Sequence, residues 1–370
     1  MKKIIIAGVI FFAAFFCWSC TKQITSYVPQ PTPFAYPSTY TFPNVNYTNQ
    51  REILAMVDQL MAAIDQGNTL GTSVDSAMLR EMFNNTNNRF NDSVFILNGS
   101  ALNLSSLCVD SAAIVIPNYF ISIGQDSHSS VPGSDGVPGV GASTQNPAVT
   151  YLQSSNGFVY RELVNTSLME GLLAYRLENI LHDSIYNTLL TANLQANWDS
   201  AFGYFDVPVD FPVDTAGLKY WGGYAKNLSA SLGLDTVIMN NFLIGRAAIG
   251  NGFLLAPSAI PANADYYAIN DAATIINAFD ELVVGAAIHE LSEAQLDSSS
   301  DPVLARAHLS SSWGFIRSLN YNASPVRSNN AAQINSILAA YGTDLYNFPK
   351  NVDSIKTVIG NAYGFINTNF

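Results

Sequence analysis

Apolar side chains recur at three- and four-residue spacing along most of this chain, the interval that lines one face of an α-helix. In "REILAMVDQLMAAIDQ", Ile53, Val57, Leu60, Met61 and Ile64 fall on one face while Asp58 and Asp65 fall elsewhere. "SVDSAMLREMFNN" opens with Ser and Asp in positions suited to capping a helix start. Longer helical runs are predicted from Gly157 to His182, Asp183 to Ala201, Ser229 to Ile249, Asn270 to Leu296, Pro302 to Asn320, Asn330 to Tyr341 and Val352 to Ile366. Alternating patterns are scarce: "SVFILNG" and "AAIVIPNYF" are the strand candidates, and each also fits a buried helical turn. The pattern predicts an all-α fold, a multi-helix bundle with long loops. Glycine stands between large apolar residues in "AFGYF", "SWGFI" and "AYGFI", at Gly203, Gly314 and Gly364. Such glycines admit a neighbouring helix, and their recurrence fits either two packed bundle halves or chance in an aromatic-rich chain.

Two stretches interrupt the helical pattern. Residues 20–46 are rich in Pro, Thr, Ser and Tyr and are read as a tether to a helical domain over 47–370. Residues 124–147, "GQDSHSSVPGSDGVPGVGASTQNP", are read as a flexible loop; no Gly-Lys-Ser/Thr follows, so the glycines are no phosphate cradle.

The amino terminus sets the expected compartment. Lys2 and Lys3 precede an apolar run from Ile4 to Trp18, the length of a signal-peptide core and short for a bilayer span. Ser19 and Cys20 then resemble the lipobox of bacterial lipoproteins, although Cys17 and Trp18 replace the usual Leu and small residue. Residues 1–19 are thus expected to leave, and Cys20 to carry the acyl chains that hold the protein to the outer membrane, on its periplasmic or cell-surface face. Cys108 is then the one remaining thiol, so a large core rather than a disulfide has to stabilise the body. With 16 basic against 28 acidic residues the net charge is −12, which excludes the basic surface that nucleic acid requires.

The strings "YLQSSNGFVYRELVNTSLMEGLLAYRLENIL", "NWDSAFGYFDVPVDFP", "KYWGGY", "FLIGRAAI", "GAAIHELSEA" and "AHLSSSWGFIRSLNYN" resemble a family of Bacteroidetes lipoproteins, domain of unknown function 4856. The most specific is Trp198 to Phe205. The resemblance spans about residues 40–366 and implies a helical periplasmic-side or surface protein with no established activity, loosely imelysin-like only by association with proteins of iron uptake, from which comes the expectation of a partner in an outer-membrane transport system. The imelysin Gly-x-His-x-x-Glu signature is not reproduced, because Gly285 lies four residues before His289 and Glu293 four after.

Candidate chemistry centres on "HELSE", His289 to Glu293. Zinc proteases carry His-Glu-x-x-His; here Glu293 replaces the second His, so one face offers an imidazole and a carboxylate and Glu290 points about 100° away. Glu178 and His182 repeat the same spacing, and two such pairs facing each other would suit iron or zinc. Asp206, Asp210 and Asp214 on a proline-interrupted loop are candidates for a hard cation such as calcium. Arg246 in an apolar helix requires a buried carboxylate, with Asp199 preferred and Glu170 second. His308 is given only a polar contact near His289. The expectations are a binding or accessory lipoprotein for uptake of iron or another ligand, with a metal-dependent hydrolase or a structural envelope module as alternatives.

Overall fold

The computed structural model describes residues 34–183, 193–251, 267–325, 330–349 and 351–364, together with Thr32. Cys20 and the expected leader lie outside the described residues, as do residues 184–192 of the expected 183–201 helix. The first half contains α1 (Thr48–Asp65), α2 (Ser76–Phe83), the single turn α3 (Leu104–Leu107) and α4 (Asp110–Asp126). A short hairpin follows, β1 (Gly139–Ala142) and β2 (Thr150–Gln153), then α5 (Tyr160–Leu168) and α6 (Tyr175–Leu181) joined by a π-helical turn, Met169–Ala174. The second half contains α7 (Leu194–Phe205), α8 (Tyr220–Asn227), α9 (Ser229–Leu232), α10 (Leu234–Gly250), α11 (Tyr267–Asp297), α12 (Pro302–Ser318), α13 (Ala331–Ala340) and α14 (Val352–Tyr363). The fold is all-α apart from the hairpin.

α11 is the central post. Its apolar residues cover all sides, with Ile275, Ile276, Phe279, Leu282, Val283, Ala287, Ile288 and Leu291 buried, the signature of a helix surrounded by others. It is long and apolar enough to cross a membrane, yet 67% of that stretch is buried inside the body. α10 and α12 make its most extensive interfaces. Rings tie the surrounding helices to it: Phe205 of α7 lies 5.5 Å from Phe279, and Trp221 of α8 lies 6.1 Å from Phe279 and 5.6 Å from Phe315 of α12. The Trp221 indole N–H donates to the Met169 carbonyl at 2.8 Å. The π-turn shifts that carbonyl out of the regular ladder, and a side chain satisfies it.

Glycines decide how close the helices come. A Cβ on Gly203 would stand 2.6 Å from Tyr47 Cβ, and one on Gly314 would overlap Thr166. Gly364 is different: it ends α14 with φ +78, the left-handed conformation glycine adopts freely. Among the tightest approaches is Gly245 of α10, whose Cβ would enter the Trp198 indole. That indole is fully buried and donates to the Phe242 carbonyl at 2.9 Å. Gly245→Ala therefore has to move a six-membered ring in a packed core, and should lower stability by about 1–3 kcal/mol, read from urea unfolding. An unchanged midpoint would mean that α7 and α10 are not this close.

Two expectations need correction. The tether is shorter than 20–46: Tyr40 is 1% exposed, stacked on Phe202 at 3.7 Å between ring centroids, and its amide donates to the Val209 carbonyl at 2.7 Å. The proline-rich backbone is non-helical as its composition implies, but aromatic side chains fasten it to the body. The 124–147 segment is not all loop either. It begins within α4, and β1 pairs antiparallel with β2, Val140 opposite Leu152 and Gly141 opposite Tyr151. Asp301 at the start of α12 holds this hairpin by accepting the Ser143 hydroxyl while capping the Leu304 amide at 3.2 Å. Of the strand candidates, "AAIVIPNYF" is helical within α4, Pro117 included, and "SVFILNG" is irregular. α8 was missed because two glycines in "YWGGY" mask its periodicity.

Candidate functional site

The "HELSE" segment lies in the last third of α11, where packing gives its acidic and imidazole groups opposite fates. His289 and Glu293 share the outward face, Nδ1 to Oε1 3.9 Å, one helical turn apart. Glu290, about 100° round the helix, is turned inward and only 7% exposed. Its Oε1 accepts the Tyr224 hydroxyl of α8 at 2.7 Å, and its Oε2 lies 2.7 Å from Nδ1 of His308 on α12. Nε2 of His308 faces Asp297 Oδ2 at 3.6 Å. Both imidazole nitrogens thus point at carboxylates, an arrangement that favours the doubly protonated ring.

The electrostatics follow from that geometry. Burial alone pulls the His308 imidazole down, but the bond to Glu290 and the charges of Glu290, Asp297 and Glu293 outweigh it and hold the ring above its ordinary value. Burial and the Glu290 charge push the Tyr224 phenol well above its ordinary range, so it stays a neutral donor. The result is a Tyr224–Glu290–His308–Asp297 relay clamping α8, α11 and α12. Because the His308 value is raised on folding, its stabilising contribution is complete below about pH 6.5 and is lost as pH climbs through the raised value. His308→Asn should abolish that segment of the stability–pH curve. It should also remove the His308 resonance, whose NMR titration midpoint lies above the ordinary value; a His308 midpoint at or below that value in the wild type would refute the relay.

The proposed metal ligands do not converge. Glu178 is buried on α6, while His182 at the end of the same helix turns to its neighbour, Nδ1 to Asp183 Oδ1 at 3.1 Å. Among the described residues no group of three or more His, Cys, Asp or Glu is placed to hold a metal ion, so the quartet of His289, Glu293, Glu178 and His182 is not assembled. The aspartate loop is likewise dispersed. Asp206 follows α7 with φ +55, and burial together with the Asp58 charge raises its carboxyl to about 6. The Asp210 carbonyl closes a turn to Val213 at 2.9 Å, and the Asp214 carboxylate accepts the Ala216 amide at 2.9 Å. Of the three carboxylates, that of Asp214 serves its own stretch of backbone, as in short acidic loops.

Arg246 takes Asp199, not Glu170. Its Nε donates to Asp199 Oδ1 at 2.7 Å and its Nη2 approaches Oδ2 at 3.5 Å, with both side chains buried. Tyr40 donates its hydroxyl to the same Oδ1 at 2.9 Å, and the guanidinium lies 5.3 Å from the Phe42 ring centroid. This is a structural lock joining α7, α10 and the amino-terminal segment. The residues that sequence reasoning missed are Tyr224, Asp297 and the inward role of Glu290. A usable signal existed in His308, because a largely buried imidazole needs polar partners on the adjacent helix.

Chemically, the relay is self-satisfied. The Glu that would be the general base of a zinc-protease motif is instead engaged by a phenol and an imidazole. The sequence was compared with known proteins in three ways. No curated protein and no solved structure matches. The family model "Domain of unknown function (DUF4856)" matches residues 37–366, from the fastened amino-terminal segment through α14. The chain is a member of the DUF4856 family.

Proposed function

We propose that this protein is a lipid-anchored accessory protein of the bacterial cell envelope, held by Cys20 at the outer membrane, whose helical body binds a ligand or partner for uptake beside a transport system. The reading is carried by one observation: the titratable groups around the HELSE segment, Tyr224, Glu290, His308 and Asp297, are engaged with one another across three helices. A body built this way is suited to holding a shape for recognition, and a hydrolase would need Glu290 released from both donors. The leader of Lys2, Lys3 and the Ile4–Trp18 run, ending at Ser19-Cys20, supports the anchor. Iron is the first ligand to test, since the resemblance to lipoproteins of iron uptake supplies it.

Two measurements test the reading. Radiolabelled palmitate should mark the wild type, and Cys20→Ser should move the protein from the membrane to the soluble fraction. Identical partitioning of both forms sinks the anchor. Metal analysis of protein purified without chelators separates the ligand classes: iron above background that falls in His289→Ala supports metal cargo, and background values in both forms exclude it and leave a partner or organic ligand.

A further inference from the structure

The three most exposed large apolar side chains among the described residues are Val213 at 87%, Val94 at 81% and Ile96 at 78%, ahead of Leu296 at 70% and Ile114 at 68%. A single exposed apolar residue needs no explanation. These three, however, sit on two loops fastened to the same stripe of α1. The loop carrying Val94 and Ile96 is held where Gln59 exchanges hydrogen bonds with the Asn91 backbone at 3.0 and 2.7 Å, and where Arg51 lies 6.0 Å from the Phe95 ring centroid. The loop carrying Val213 is held where Asp58 accepts the Lys219 ammonium and the Tyr220 hydroxyl, each at 2.8 Å. Arg51 and Asp58 stand seven residues apart, two turns along one stripe of α1, so the Phe95 contact and the Lys219 and Tyr220 contacts put the two loops on one side of the helix.

The chain's own amino terminus arrives at this side. The Tyr40 amide bonds to Val209 in the second loop, and Tyr47, directly before α1, lies 5.7 Å from Phe202 by ring centroids. Between Cys20 and Phe34, the first residue of the continuous described segment, lie residues 21–33. Even fully extended they reach about 45 Å, roughly the width of one body. A short leash attached beside the loops keeps this face, rather than the far end of the bundle, next to whatever holds Cys20, at high effective concentration.

We propose that the Val94–Ile96 and Val213 loops form a lipid-docking face that seats the body on the bilayer to which Cys20 is anchored. This rests on the anchor reading above. The occupant is a lipid surface because small apolar side chains on separate loop tips can each enter the interfacial region independently. A net charge of −12 offers no attraction to anionic headgroups, so the docking is apolar and serves zwitterionic lipid.

The test uses the acylated full-length chain reconstituted into phosphatidylcholine–phosphatidylethanolamine vesicles that contain acyl-chain-brominated lipid. A polarity-sensitive dye is placed on Val94→Cys, Ile96→Cys, Val213→Cys or, as the control on α11, Leu296→Cys. Cys108 is buried and does not compete for the label. Docking predicts a blue shift and quenching at 94, 96 and 213 that persist in high salt, with Leu296→Cys unaffected. The variant Val94→Ser/Ile96→Ser should stay palmitate-labelled and membrane-bound while the dye at 213 loses most of its quenching. An acylated chain with no quenching at the three loop positions overturns the docking face and leaves the anchor standing. Shielding that appears only in native membranes and vanishes in pure lipid overturns the lipid assignment in favour of a protein partner. A chain that carries no acyl group overturns the anchor and the docking face together.

Discussion

Arg246→Leu should unfold about 3–5 kcal/mol more easily than the wild type, because it strands the Asp199 carboxylate in the core. The wild-type carboxylate is reached by Nε of Arg246 at 2.7 Å and by the Tyr40 hydroxyl at 2.9 Å, and it is 1% exposed. Deleting the guanidinium leaves only the phenol, in surroundings made by Phe202, Phe242 and Trp198. The ring positions also respond: Phe42 loses the cation above it, so the loss spreads to the amino-terminal segment. A double variant, Arg246→Leu with Asp199→Asn, removes both charges and should recover much of the loss, since replacing a buried pair costs far less than breaking it. Urea unfolding of the two single variants and the double variant forms a cycle whose coupling energy reads the pair directly. Single variants within about 0.5 kcal/mol of the wild type would show that these groups reach water.

Asp271→Asn should stabilise the protein by about 3 kcal/mol at pH 8 and by almost nothing at pH 4. Asp271 lies in the first turns of α11, 7% exposed, and its Oδ2 has no hydrogen-bond partner among the described residues. Burial raises its carboxyl to about 8. The sign follows from linkage. Below the unfolded value near 3.9 both states hold the proton and pH does not matter. From there to about 8 the unfolded chain has released the proton while the folded chain keeps it, so stability falls steadily with pH and levels off above. The full difference of about 4 pH units sets an upper limit near 5 kcal/mol, and local relaxation and water penetration reduce it to the order given. The asparagine variant lacks this slope, so the measured quantity is the difference between the two stability–pH curves. Parallel curves from pH 4.5 to 8.5 would mean that Asp271 ionises in the folded protein as freely as in the unfolded one.

These two carboxylates show how a sequence containing 12% charged residues handles the few charges it buries. Asp199 is given a cation and a phenol and remains a fixed part of the lock. Asp271 is given no described partner and stores a pH-dependent cost at the amino-terminal end of the central helix. Glu290 is intermediate, neutralised in effect by His308 as long as that ring keeps its proton. All three depend on which helix face packing turns inward.

The chain's local pattern was enough to determine most of the helices around the core, α4 and α8 excepted, because helical spacing of apolar residues is a property of neighbours three and four apart. It was also enough to pair Arg246 with Asp199, since an apolar helix that buries a guanidinium leaves few carboxylates able to meet it. The pattern did not reveal that Tyr40 is a core residue, because composition describes the backbone of a proline-rich stretch and not the distant ring it stacks on. Nor did it reveal the β1–β2 hairpin, whose first strand, Gly139–Ala142, lies in a glycine-rich segment and carries too few large side chains to show an alternation. In "HELSE" the spacing fixed which residues share a face, but only the positions of α8 and α12 decided that His289 and Glu293 look outward and Glu290 inward. Rotation of a helix about its axis costs nothing locally; it is set by the side chains of the helices beside it, and those are brought together only by the fold.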